Sequence, residues 1–129
     1  MNKVGERYDK MVGYHYSYYD IGNMTLPDFF RLVKASPLRV DIAIISGFYQ
    51  YNNTCSLDSV IEDFAAMKRD YFGEERWNIS IFFKTANGER GNLFCFPAEN
   101  NLVGVQAETP MPPLDELLDL PNTLARLQG

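Results

Sequence analysis

The chain has 129 residues, a net charge of −5, 46% hydrophobic and 22% charged residues, a balance that suits one folded domain with its own core and excludes wholesale disorder. No apolar run reaches the roughly 18–20 residues that span a bilayer, and acids break the opening "MNKVGERYDKMV", so the sequence predicts a cytoplasmic protein with no membrane contact. The acidic balance removes the attraction that dominates affinity for phosphate backbones, which argues against direct nucleic-acid binding.

Charge is uneven along the chain: residues 1–40 sum to +2, residues 41–90 to −3 and residues 91–129 to −4. A basic partner is the expectation for the acidic end. The first marked feature is "GYHYSYYDIGN", which places Tyr14, Tyr16, Tyr18, Tyr19 and the single histidine, His15, side by side. Its rings and alternation suit a strand at a sheet edge.

"MTLPDFFRLVKASP" then reads as a helix of about ten residues, a common length. Thr25 is its N-cap, Pro27 and Asp28 lie in its first turn, and it stops before Pro37. Phe29, Leu32 and Val33 share one face. "LRVDIAIISGFYQY" alternates Val40, Ile42 and Ile44 against Arg39, Asp41 and Ala43, the period of a strand, with Gly47 bending it before Phe48 to Tyr51. "SLDSVIEDFAAMKRDYFG" sets Leu57, Val60, Ile61, Phe64, Met67 and Tyr71 at helical spacing between a Ser56 cap and a Gly73 stop.

"WNISIFFKTANGERGNLFCFPA" is a hairpin, because Asn87-Gly88 between β-rich arms favours a two-residue type I′ turn. Pairing outward from that turn sets Phe82 opposite Leu93, Ile81 opposite Phe94, Ser80 opposite Cys95 and Ile79 opposite Phe96. The core face then holds Trp77, Ile79, Ile81, Phe83, Phe94 and Phe96. Phe82, Leu93 and Cys95 share the other, half-apolar face with Asn78 and Ser80. "NLVGVQAE" supplies a further strand after a turn at Glu99 to Asn101. "TPMPPLDELLDLPNTLARLQG" is a Pro-rich linker and a helical segment interrupted at Pro121. The expected fold is α+β: a mostly antiparallel sheet of about four to five strands, with three helical segments packed mainly on one face.

Chemistry is sparse. Cys55 and Cys95 are too few for a disulfide framework. Cys55 precedes a helix whose dipole can lower a thiol pKa, and it would need His15 as its base to act as a nucleophile. No Cys/His spacing suits zinc and no acidic loop suits calcium, so neither metal nor cofactor is expected. The acid pairs Glu62-Asp63, Glu74-Glu75 and Asp115-Glu116 read as solvated helix faces. Alternation should send two or three of the clustered tyrosines into the core, leaving the others, beside Asp20, as interface candidates.

A short α+β chain with the aromatic "YHYSYYD", the acidic "LDELLDL" and no catalytic signature resembles, in type, the bacterial immunity proteins that neutralise toxin domains in interbacterial competition. Many of those toxins are nucleases with basic clefts. The resemblance implies stoichiometric occlusion of a basic toxin domain. Asp115, Glu116 and Asp119 would imitate phosphates or pair with toxin Arg and Lys, and Tyr14, Tyr16, Tyr18 and Tyr19, beside Asp20, would anchor the contact. Two alternatives stand beside it: a small enzyme or ligand-binding domain with a cleft near His15 or Cys55, and an inhibitor or adaptor acting on another host or phage factor. A sheet edge could also support a homodimer.

Overall fold

The computed structural model describes residues 1–46, 52–70, 78–96 and 102–128. Among these, the elements in chain order are β1 (Asn2–Asp9), β2 (Tyr14–Asp20), α1 (Leu26–Ala35), β3 (Arg39–Ser46), β4 (Asn52–Cys55), α2 (Leu57–Asp70), β5 (Asn78–Lys84), β6 (Arg90–Cys95), β7 (Leu102–Ala107), α3 (Leu114–Leu117) and α4 (Leu120–Gln128). The strands form one sheet in the order β1-β2-β7-β6-β5-β3-β4, and every pairing in it is antiparallel.

The fold is α+β, but among the described residues the sheet has seven strands and the helices number four, which corrects the expectation of four to five strands and three helical segments. The extra strands carry weak sequence signals. β1, "NKVGERYD", is charged and largely exposed, with no apolar alternation to betray it. β4 is the four residues "NNTC". Since β1 takes the edge, β2 is an inner strand paired on both sides rather than the margin.

Local chemistry explains the helices. The Thr25 hydroxyl accepts from the Asp28 backbone N–H at 3.2 Å and caps α1, whose Leu26, Phe29, Phe30, Leu32 and Val33 are buried. Ser56 caps α2 in the same way, accepting from the Ser59 N–H at 3.1 Å. At the C-terminus the break falls at Leu118 and Asp119, not at Pro121: Asp119 sits at φ 48°, and α4 starts at Leu120. Pro121 is therefore inside the first turn of α4, where its missing N–H would be unpaired in any residue. Arg126 ties α4 to α1 by donating to the Ala35 carbonyl at 2.9 Å.

The β5–β6 register differs from the expected one by a single residue. Ile79 faces Cys95, Ser80 faces Phe94, Ile81 faces Leu93 and Phe82 faces Asn92. The turn is the reason. Gly88 N–H donates to the Thr85 carbonyl at 2.9 Å and Thr85 N–H to the Glu89 carbonyl at 2.8 Å, while Gly88 is at φ 86° and Asn87 is not at positive φ. A type I′ turn needs positive φ at both central residues; here a type I turn followed by a left-handed Gly88 makes a three-residue loop. Moving the pairing by one residue exchanges one strand's faces relative to the other.

The core face consequently carries Ile79, Ile81, Phe83, Leu93 and Cys95, together with Tyr19, Ala43, Ile45, Val103 and Val105, all joined to the buried residues of α1, α2 and α3 in one cluster. Phe94, assigned to the core from sequence, lies on the opposite face, and Leu93 and Cys95 are core. Burial pushes the Cys95 thiol up to about 12, against a small opposing effect of a hydrogen bond with the Ile79 backbone. Gly47 to Tyr51, Tyr71, Gly73 to Glu75, Trp77 and Glu99 to Asn101 lie outside the described residues.

Candidate functional site

The face of the sheet opposite the core presents a polar and aromatic surface. Alternation along β2 puts Tyr14, Tyr16 and Tyr18 there and sends Tyr19 inward; Tyr19 alone of the four is buried. Phe94 is the hub: its ring lies edge-on to Tyr18 at 5.9 Å, to Tyr16 at 6.3 Å and to Phe96 at 6.3 Å. It can reach them because the residue facing it on β7 is Gly104, over which the ring sits.

Polar groups stitch the same surface together. The Arg7 guanidinium stands 4.2 Å above the Tyr16 ring centroid, a favourable cation–π placement, and its Nε donates to the Tyr18 hydroxyl at 3.2 Å. The Tyr18 hydroxyl bond, with a further contribution from Asp9, holds the Arg7 pKa above its ordinary value. Gln106 donates to the Tyr16 hydroxyl at 3.1 Å and accepts from Asn92 Nδ2 at 3.2 Å. The other end of that amide chain, Asn92 Oδ1, is a buried acceptor with no protein partner. Such an atom costs free energy unless water or a ligand donates to it.

Asn92 and Gln106 also line a groove of about 440 Å³, bordered by Tyr14, Phe82, Arg90 and Glu108. That volume is within the range of about 300–1,000 Å³ for sites that hold small molecules or anchor groups. Arg90, in the groove lining, faces Lys84, and Lys84 faces Arg39, across three adjacent strands. None of these three cations has an ion-pair partner among the described residues. The groove lining also holds Glu89 and Glu108, but Arg39, Lys84 and Arg90 make a row of three cations, and like charges directly opposite on a sheet are unfavourable until something neutralises them.

The acidic candidates stand elsewhere. Leu114, Leu117 and Leu118 bury α3 and its flank in the core, so Asp115, Glu116 and Asp119 lie on the helical side of the sheet. Asp115 is 3.6 Å from the N-terminal ammonium, and the Asp119 carboxylate accepts from Asn122. Asp20 accepts from the Gly22 N–H at 2.7 Å and shapes the turn after β2. The structure thus joins Tyr14, Tyr16 and Tyr18 on one face and separates them from the three acids. Arg7, Asn92, Phe94 and Gln106 were missed from sequence because each is unremarkable until the strand order brings it beside β2.

The Cys55 and His15 pairing fails on distance. β4 and β2 are five strand spacings apart in the sheet, roughly 24 Å at 4.8 Å per step. Cys55 has its thiol pKa raised, first by burial and then by the Asp63 carboxylate, the opposite of an activated nucleophile. His15 packs its ring against Tyr8 at 4.5 Å. Among the described residues no group of His, Cys, Asp and Glu could hold a metal ion, and no helix is long and apolar enough to cross a membrane. No family model, curated protein or solved structure matches this chain.

Proposed function

We propose that the chain is a protein-binding inhibitor of the immunity type, and that the open sheet face is its contact surface. One observation carries this reading: half-buried Tyr16, Tyr18, Phe94 and Gln106 and exposed Arg7 form a mutually bonded aromatic surface, while the buried apolar residues of the described helices belong to the core on the other side. Rigid rings already held in place lose little entropy on binding and supply large contact area, which is why Tyr and Arg dominate interface energetics.

In this reading the target is a toxin domain that is basic overall. The acids of α3, Asp115, Glu116 and Asp119, raise its encounter rate from a distance, and the aromatic face makes the contact. Acidic side chains of the partner meet Arg39, Lys84 and Arg90. The test is affinity capture from the source organism with three baits: the wild-type chain, Tyr16→Ala/Tyr18→Ala, and a triple charge reversal at Asp115, Glu116 and Asp119. A single stoichiometric partner should be lost with the tyrosine variant and captured more slowly, with weaker salt dependence, by the acid variant. Purified partner should lose its toxic activity at a one-to-one ratio. A partner that binds the tyrosine variant as well as wild type refutes the surface, and one that stays active when bound refutes inhibition.

A further inference from the structure

β1 is one of the two edge strands of the sheet, β4 being the other, and it carries exposed apolar side chains among its charges. Four of the large apolar side chains exposed among the described residues, Val4, Tyr8, Met11 and Val12, fall in this strand and the turn after it. Edge strands present unpaired N–H and C=O groups, and the charges that would repel most partners can suit one whose charges are complementary. Here the charges are antisymmetric about Tyr8: Glu6, Arg7, Tyr8, Asp9 and Lys10 read minus, plus, neutral, minus, plus, so each charge has its opposite at the same distance on the other side.

We propose that this edge is a homodimer interface, in which β1 of a second copy pairs antiparallel about a twofold axis at Tyr8. Arg7 then faces Asp9 of the second copy, and Glu6 faces Lys10 of the second copy, just past the strand end. Each contact occurs twice. Tyr8, half exposed in the single chain, meets Tyr8 of the second copy at the axis.

Backbone geometry agrees with that centre. The Asp9 carbonyl turns toward β2, accepting from the Gly13 N–H at 2.8 Å. Alternation along an extended strand then turns the N–H and C=O of Tyr8 outward, ready for a reciprocal pair of hydrogen bonds at the axis. Outward groups must meet outward groups, so the axis falls on a residue and not between two. Centring on Glu6 or Arg7 would place a charge against its own copy, which is unfavourable. The bulge between Lys3 and Gly5 disturbs the strand beyond this segment, and a twofold contact closes on itself, so pairing at this edge stops at two chains. The interface leaves Tyr16 and Tyr18 uncovered but shares Arg7 with the surface of the proposed function, so the Glu6 and Lys10 pair is what tests it apart from that reading.

The test is sedimentation velocity of the full chain over a range of concentrations. Wild type should be a dimer that dissociates on dilution, and Tyr8→Asp should weaken association by about tenfold or more, since it sets two carboxylates together at the axis. Arg7→Glu and Asp9→Arg should each be monomeric where wild type is dimeric, yet mixing the two should yield a heterodimer with opposite charges restored at both positions. Arg7 also touches Tyr16 and Tyr18, so the same exchange with Glu6→Lys and Lys10→Glu provides a second mixing pair away from that surface. A wild-type chain that stays monomeric at its highest soluble concentration overturns the proposal. So does a dimer indifferent to Tyr8→Asp, or folded single variants that fail to associate when mixed in both pairs.

Discussion

Gly104→Ala should destabilise the protein even though it adds one methyl group to a surface-facing strand position. A Cβ there would stand 2.1, 2.4 and 2.5 Å from three carbons of the Phe94 ring. Carbon contacts sit at roughly 3.5–4.0 Å, so the ring must retreat by about 1.4 Å or more. It has little room to do so, because Tyr16, Tyr18 and Phe96 hold it edge-on. Overpacking of this kind costs about 1–3 kcal/mol. Replacing glycine also stiffens the unfolded chain and returns about 0.4–1 kcal/mol, which leaves a net loss of about 1–2 kcal/mol.

Urea denaturation of a four-member cycle checks the reasoning: wild type, Gly104→Ala, Phe94→Ala and the double variant. Phe94→Ala removes the ring that the new methyl group would strike. Gly104→Ala should therefore be neutral or mildly stabilising in that background, giving a coupling of about 1–3 kcal/mol between the two positions. The refuting result is a Gly104→Ala penalty that is the same with and without the Phe94 ring. That would mean the glycine serves the backbone and not the aromatic ring above it.

Gly91 bears the same relation to Phe83 on the core face, where an added Cβ would lie 2.5 Å from the ring; Phe83 is 1% exposed with no path out, so Gly91→Ala should cost more than Gly104→Ala, about 2–3 kcal/mol in the same assay. Thr25→Ala removes the cap bond to Asp28 and should lose about 1 kcal/mol by denaturation. Cys95 has its pKa raised from 9.0 to about 12 in the folded chain, so between those values the native state holds a proton that the unfolded state releases. Stability should accordingly fall as pH rises from 9 towards 12, with a slope from this group on the order of 1.4 kcal/mol per pH unit that Cys95→Val abolishes. Thiol labelling of the native protein should modify Cys55, half-buried, and spare Cys95 until the chain unfolds.

The sequence was most readable where one element's own residues decide its structure. Thr25 and the apolar spacing after it define α1, the spacing from Leu57 onward defines α2, and "NLVGVQAE" is β7, because caps and periodicity act within a few residues. β1 and β4 were hidden for a physical reason: their strand character comes from pairing with β2 and β3, and neither has an apolar face to write into the pattern. The site followed the same division. Tyr14, Tyr16 and Tyr18 stood out as a local cluster, whereas Asn92, Phe94 and Gln106 join them only through strand neighbours 74–92 residues away in the chain.

A single residue in the Thr85–Glu89 turn shows how local and global signals meet. With a two-residue turn, Phe94 would share the core face with Ile79 and Ile81, and Leu93 would look outward. The extra loop residue, stabilised by left-handed Gly88 and by the Thr85 hydroxyl accepting from the Glu89 N–H at 3.1 Å, exchanges them. Leu93 and Cys95 then fill the core beside Val105 and Val103, and Phe94 emerges above Gly104, the only β7 strand residue without a side chain. That gap lets the ring lie flat enough to meet Tyr16 and Tyr18 at their edges. The aromatic surface is therefore a consequence of register, and register here depends on Asn87 keeping negative φ. A turn redesigned to favour positive φ at both central positions would pull Phe94 towards the core and dismantle the surface without altering any of its residues.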